Sequence, residues 1–307
     1  MTFLFALTTL INSIVGNCPT NVPIGPPCSY VDQSTYCDIR CAGNQPFDIK
    51  ATLSNLNRRL GADKRVFRQL DLSQLDSLTE LPANALGGLQ FEYIQLYYTR
   101  SLTRIHVNAF NGSVATINRV DIHHVPVTEH VAGDWNLFGA ISTLKGLKTL
   151  NFLNTGVNNL PSMGLNGLKN LYEVYFFTNP IKSIMHNAFN NLPSMLYLQF
   201  KDSSPIDNVA DRAFTVGPKS IQYQFNIDFQ TQPHTTFSNQ AFESIGCPTT
   251  ITLGTQSTKY LDRNVFEKFL TENAMNRVND ESIDCADSRN QWIKAKYPLV
   301  WRGIVFV

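Results

Sequence analysis

Neither charge is in surplus. Twenty-five Lys and Arg stand against 24 Asp and Glu, and charged residues make up only 16% of the 307 positions. A nucleic-acid partner requires a basic face, so this balance argues against one. Long apolar runs are also missing. The stretch Met1–Gly16 is too short for a membrane span, and the apolar tail 298–307 is broken by Arg302 and too short for a glycolipid-attachment signal. Catalytic signatures are lacking as well. There is no Gly-x-Ser-x-Gly elbow, no GxxxxGK[ST] phosphate loop, no GxGxxG fingerprint and no HExxH pair. Without CxxC pairs, a zinc site built on the cysteines is disfavoured. The expectation is a chain with no cofactor, no metal, no membrane span and no chemistry of its own.

What the sequence does contain is a repeat. Leu147, Leu150, Phe152, Val157, Leu160, Leu165 and Leu168 are followed 24 residues later by Leu171, Val174, Phe176, Ile181, Ile184, Phe189 and Leu192 at the same offsets. The spacing changes period inside each unit, so it is neither one strand nor one helix. It matches the leucine-rich repeat, in which each turn points its apolar side chains inward and buries them only by stacking on its neighbours. The fold expected is an α/β solenoid, a horseshoe of about eight repeats with a parallel concave sheet and disulfide-bonded caps.

Strand cores are read at Phe67/Leu70/Leu72, Phe91/Ile94/Leu96, Ile117/Val120/Ile122, Leu147/Leu150/Phe152, Leu171/Val174/Phe176 and Met195/Leu198/Phe200. Two looser ones follow at Tyr223/Phe225 and Ile251/Leu253. On the convex side Ala85-Leu86, Ala109-Phe110, Gly164-Leu165, Ala188-Phe189, Ala213-Phe214 and Ala241-Phe242 recur as anchors. The Asn position of the repeat survives only at Asn179. Thr99, Thr155 and Ser203 replace it with hydroxyls, whereas Leu75 and Val125 cannot hydrogen-bond there. The units 117–146 and 220–245 are longer, and their insertions are expected to bulge as loops.

Six cysteines fall into two groups, Cys18, Cys28, Cys37 and Cys41, then Cys247 and Cys285. At the two ends of an array they read as disulfides within each group, and the four N-terminal ones allow three connectivities. The domains expected are a secretory signal at 1–16, a Cys-rich N-terminal cap at 17–62 with a helix over Ile49–Leu60, repeats at 63–272 and a C-terminal cap at 273–307. That last cap is short of cysteines.

The Cys-rich leader, the Ala-Phe anchors and the opening from Cys285 to Trp292 resemble a family of secreted arthropod leucine-rich repeat proteins. The family is named after the non-catalytic subunit of a shrimp luciferin mono-oxygenase. The resemblance covers residues 18–292 and implies an extracellular protein without catalytic residues.

Outward strand residues should line the concave face in three columns. One runs Gln69, Tyr93, Arg119, Thr149, Glu173, Tyr197, Gln222, Thr250. The next runs Asp71, Gln95, Asp121, Asn151, Tyr175, Gln199, Gln224, Thr252, and the third Ser73, Tyr97, His123, Leu153, Phe177, Lys201, Asn226, Gly254. Rigid aromatics on a curved sheet suit a protein partner, which nominates Tyr93, Tyr97, Tyr175, Phe177 and Tyr197, with Arg119 and Asp121 fixing orientation. An ordinary solvated strand face is the plainer reading, since Tyr is common in strands. His123, Glu129 and His130 could ligate a metal, but nothing in their spacing specifies a geometry. Asn111-Gly112-Ser113 is the single N-glycosylation sequon. The function expected is a secreted accessory protein that binds another protein through its concave face. A structural matrix protein is the alternative, and a hydrolase or metal-dependent enzyme is the more remote one.

Overall fold

The structure, a computed structural model, describes residues 18–218, 224–229, 235–253, 259–280, 282–284, 286–295 and 304–305. The expected signal 1–16 and the strand positions Gln222, Tyr223 and Gly254 lie outside the described residues, as does Cys285, and with it the expected Cys247–Cys285 bridge. Cys247 itself is buried.

Twelve strands form one sheet in chain order. They are β1 (Cys28–Asp32), β2 (Cys37–Ala42), β3 (Val66–Ser73), β4 (Gln90–Tyr97), β5 (Arg119–His123), β6 (Thr149–Leu153), β7 (Glu173–Phe177), β8 (Tyr197–Lys201), β9 (Phe225–Asp228), β10 (Thr249–Thr252), β11 (Arg277–Asn279) and β12 (Ile304–Val305). Only the first pair is antiparallel. From β3 to β10 the strands are the eight turns of a parallel solenoid. The sheet then continues through β11 and β12, inside the segment read as a C-terminal cap.

Each strand alternates, because a side-chain period of two sends one set to the core and the other to the concave surface. In β6 and β7, Leu150, Phe152, Val174 and Phe176 are buried while Thr149, Asn151, Glu173 and Tyr175 are partly exposed. Two rows of phenylalanines run through successive turns. Phe152, Phe176, Phe200 and Phe229 stack with ring centroids 5.1, 5.4 and 5.2 Å apart. Phe189, Phe214, Phe242 and Phe266 form the second row at 5.6, 5.7 and 5.7 Å. The Ala that precedes the anchor is buried at 85, 109, 188, 213 and 241, where the turn leaves room for little more than a methyl group. Short strands cover much of the convex side in place of helices. Leu165–Asn166, Phe189–Asn190 and Phe214–Thr215 pair in parallel there.

The cap is a hairpin followed by a helix. Cys18 is bonded to Cys37 and Cys28 to Cys41, which selects one of the three open connectivities. Helix α1 (Ile49–Arg59) starts at Asp48, whose carboxylate accepts the Ala51 N–H at 2.9 Å, and buries Ile49, Leu53 and Leu56. It packs so closely on the first turn that a Cβ at Gly87 (φ +59°) would lie 2.3 Å from the Ser54 nitrogen. Only glycine fits there.

The structure departs from the sequence reading in two places. In the seventh turn Leu198 pairs with Ile227, and Phe229 takes the place of Phe200 in the stack, so the core pair is Ile227/Phe229 rather than Tyr223/Phe225. Asn226 and Asp228 therefore continue the columns of Tyr197 and Gln199, where Gln222 and Gln224 were expected. The step is 29 residues instead of 24 or 25, and an aromatic falling near the usual spacing drew the register forward. In the third turn the insertion does not bulge freely. It forms helix α2 (Leu137–Ser142), with Leu137, Phe138, Ala140 and Ile141 buried. Trp135 meets His106 edge-on at 5.5 Å and lies beneath the Arg104 guanidinium at 4.4 Å.

Candidate concave interface

The nominated residues all lie on the parallel sheet, and the register aligns them. Tyr93 pairs with Arg119 and Tyr97 with His123; Arg119 continues to Thr149, and Glu173 pairs with Tyr197. Within this surface they divide into two kinds.

Tyr93, Arg119 and Asp121 belong to a closed polar network. Asp121 is only 2% exposed. Its carboxylate accepts from the Tyr93 hydroxyl at 2.5 Å, the Asn151 amide at 2.7 Å and the Arg119 guanidinium at 2.8 Å. Arg119 also sits over the Tyr93 ring at 5.2 Å. Burial and the neighbouring Asp121 carboxylate, which the phenol serves as a proton donor, push the Tyr93 hydroxyl well above its ordinary value. The network extends toward the cap. Asp38 holds Arg68, with the Arg68 Nε at 2.9 Å, and Asp71 holds Arg40 at 2.7 Å and the Ser73 hydroxyl. Asp38, Arg40 and Arg68 were not nominated from sequence, because their partners are strand neighbours that become visible only with the cap hairpin in register.

The other kind is aromatic and is exposed or half-buried. Tyr97 is 36% exposed and Tyr197 49%. Tyr175 and Phe177 lean together at 5.6 Å on β7, one strand from Tyr197. Burial and the adjacent Glu173 raise the Tyr175 hydroxyl, so it too is a proton donor at neutral pH.

His123 is half-buried beside Tyr97, its ring 6.3 Å from the tyrosine. Burial pushes its imidazole below the ordinary value; Asp121 opposes this, while His124 and Arg119 reinforce it. An unfolded chain takes up this proton near pH ~6.5, whereas the folded one does so only at lower pH. Stability should therefore fall as pH drops below ~6.5, until the folded imidazole titrates. His123→Gln should show a smaller loss in urea midpoint between pH 7.5 and 5.5. An equal loss in wild type and variant would contradict this. The suggested metal trio is not assembled. Glu129 accepts from the Asn158 N–H at 3.1 Å and the Asn159 amide at 2.9 Å, and among the described residues no three His, Cys, Asp or Glu side chains form a metal-binding group.

The Asn position behaves as its chemistry requires. Asn179 is buried, accepts the Thr155 N–H at 3.0 Å and donates to the carbonyls of Phe152 and Phe177, each at 3.0 Å. The Ser203 hydroxyl accepts the Asn179 N–H at 3.0 Å, and Thr99 donates to the Leu72 carbonyl at 3.1 Å. Leu75 and Val125 are simply buried. The role returns at Asn276 and Asn290, which accept the N–H groups of Thr249 and Leu261 at 3.0 and 3.1 Å. This side-chain brace between stacked turns of a parallel solenoid decides the class. The fold is that of a leucine-rich repeat solenoid.

Known proteins agree with that class. Over 202 residues, 66% of its length, the chain is 27% identical to the Oplophorus-luciferin 2-monooxygenase non-catalytic subunit of Oplophorus gracilirostris, covering 52% of that subunit. Over 82 residues it is 32% identical to leucine-rich repeat-containing G-protein coupled receptor 5 of Xenopus tropicalis and receptor 5A of Xenopus laevis, covering 27% of this chain and 9% of each receptor. The chain thus spans about half the length of the luciferin mono-oxygenase subunit and less than a tenth of the receptors. No family model matches it. Among the described residues no helix is long and apolar enough to cross a membrane.

Proposed function

We propose that this protein is a secreted accessory subunit with no reaction of its own, which docks one protein partner on the concave sheet between β4 and β8. The observation that carries this reading is the set of aromatic side chains on a rigid, registered sheet: exposed Tyr97 at one end, and exposed Tyr197 with half-buried Tyr175 and Phe177 at the other. Three to four strand spacings separate the two ends, roughly 15–20 Å. A protein surface spans that distance, whereas a small ligand needs convergent walls. Arg119 and Asp121 lie between the ends and are the polar groups that fix orientation, held in place by their network with Tyr93, which shares a strand with Tyr97. Secretion is supported by the two cap disulfides, which persist in oxidising compartments. The non-catalytic role is supported by the name of the luciferin mono-oxygenase relative.

Truncating Tyr97, Tyr175, Phe177 or Tyr197 to Ala should each weaken partner binding by about 2 kcal/mol while barely moving the unfolding midpoint. Tyr93→Ala should instead lower the midpoint, since it strips a donor from buried Asp121. Undiminished affinity in all four aromatic variants would move the interface off the concave face.

We further propose that Asn111 carries a glycan on the turn after Phe110, away from the concave sheet. The Ser113 hydroxyl of the same sequon donates to the Leu89 carbonyl at 2.8 Å inside the core. Peptide-N-glycosidase should reduce the mass of the secreted protein, and Asn111→Gln should abolish that shift. An unchanged mass on digestion would exclude the glycan.

A further inference from the structure

At the end of six successive concave strands, β3 to β8, the chain turns through a residue in the left-handed region: Gln74 (φ 53°), Tyr98 (51°), His124 (55°), Asn154 (50°), Thr178 (55°) and Asp202 (50°). The turn uses this conformation at the first five to aim the N–H at the last carbonyl of the following strand. Tyr98 reaches the His123 carbonyl at 3.0 Å and His124 the Leu153 carbonyl at 2.8 Å. Asn and Asp tolerate the left-handed region, whereas a bulky ring there is an outlier. The solenoid makes the same turn with Gln, Asn, Thr or Asp, so it has no need of the Tyr98 ring.

The ring has a definite setting. Tyr98 stacks on the His124 imidazole with centroids 4.4 Å apart and planes 11° apart, and Tyr97 meets Tyr98 edge-on at 4.5 Å. Asn154 Nδ2 lies 3.0 Å from His124 Nδ1. Beside this stack opens a cleft of ≈ 420 Å³, walled by Tyr98, Arg100, His124 and Asn154 over Pro126 and Gly156. Arg100 is exposed. Its guanidinium, the imidazole, the phenol and the amide are all able to donate, and no carboxylate lines the cleft. Asp121, on the same strand as His123, has its oxygens taken by Tyr93, Arg119 and Asn151.

We infer that this cleft is a second binding site, for the carboxylates of an acidic peptide segment. A planar guanidinium beside further hydrogen-bond donors matches a carboxylate in both charge and shape. The stacked pair holds the imidazole in place beforehand, so little is lost in ordering it on binding. The site goes beyond the concave-face reading and does not depend on it.

The test is fluorescence anisotropy of labelled hexaglutamate with the intact protein, and hexaglutamine as the uncharged control. Hexaglutamate should bind at least tenfold more tightly than hexaglutamine. Arg100→Gln and His124→Asn should each weaken it at least fivefold, while Lys182→Gln, on a distant turn, should not. Asn at 124 keeps the left-handed turn, as Asn154 does one turn along, and circular dichroism checks that both variants fold. The inference would be overturned if hexaglutamate bound no better than hexaglutamine or bound both variants as well as wild type. Displacement by a heparin disaccharide at equal concentration would also overturn it. The assay uses no natural partner, so failure here leaves the concave-face proposal standing, and failure of that proposal leaves this site untouched.

Discussion

Phe176→Ala should lower stability by about 3–5 kcal/mol, the ordinary cost of emptying a fully buried aromatic site. The ring is completely buried between Phe152 and Phe200, 5.1 and 5.4 Å away, so its removal opens a gap facing two turns at once. Neighbouring rings on the parallel sheet are fixed by backbone register and cannot close that gap. Because a solenoid turn contacts only its neighbours, the loss should also divide the array, giving a broader unfolding transition. Guanidinium melts followed by circular dichroism would show both effects. An unchanged midpoint would mean that the stacked row is not the core.

Asn179→Ala should be nearly as damaging, although it removes only a few atoms. The amide satisfies the Thr155 N–H and the carbonyls of Phe152 and Phe177, and its oxygen also accepts the Thr155 hydroxyl at 2.7 Å. Each buried group left unsatisfied costs on the order of 1–3 kcal/mol, and several are stranded together. Asn179→Asp should rescue little. It keeps an acceptor for Thr155 but loses both donated bonds, and it places a charge in the interior. A denaturant midpoint for Asn179→Ala within error of wild type would show that the turns do not depend on this brace.

The solenoid could be read from sequence because each turn solves the same packing problem with the same spacing, so Leu150, Val174 and Leu198 predict one another. The seventh turn could not be read this way. Its step is longer, and Phe225 stands at the usual spacing from Phe200, so spacing alone chose it over Phe229. The later asparagines escaped notice for a related reason: Asn276 follows helix α3 (Arg263–Glu272), which interrupts the repeat rhythm that marked Asn179. At the candidate interface the columns were legible, since alternation and the repeat step fix which side chains face outward. Their pairing was not. Tyr93 and Tyr97 look alike in sequence, and only the position of buried Asp121 makes one a structural donor and leaves the other exposed. In the same way the sequence shows His124 but not its stacking on Tyr98, because the left-handed turn that brings the rings together has no residue signature of its own.

The concave-face proposal is tested most directly by hydroxyl-radical footprinting of the protein alone and with the partner it captures from a source extract, read by mass spectrometry. Oxidation of Tyr97, Tyr175, Phe177 and Tyr197 should fall several-fold in the complex, while the exposed convex residues Met163 and Met185 keep their rates. Protection confined to Met163 and Met185, with the four aromatics oxidised as in the free protein, would contradict the proposal.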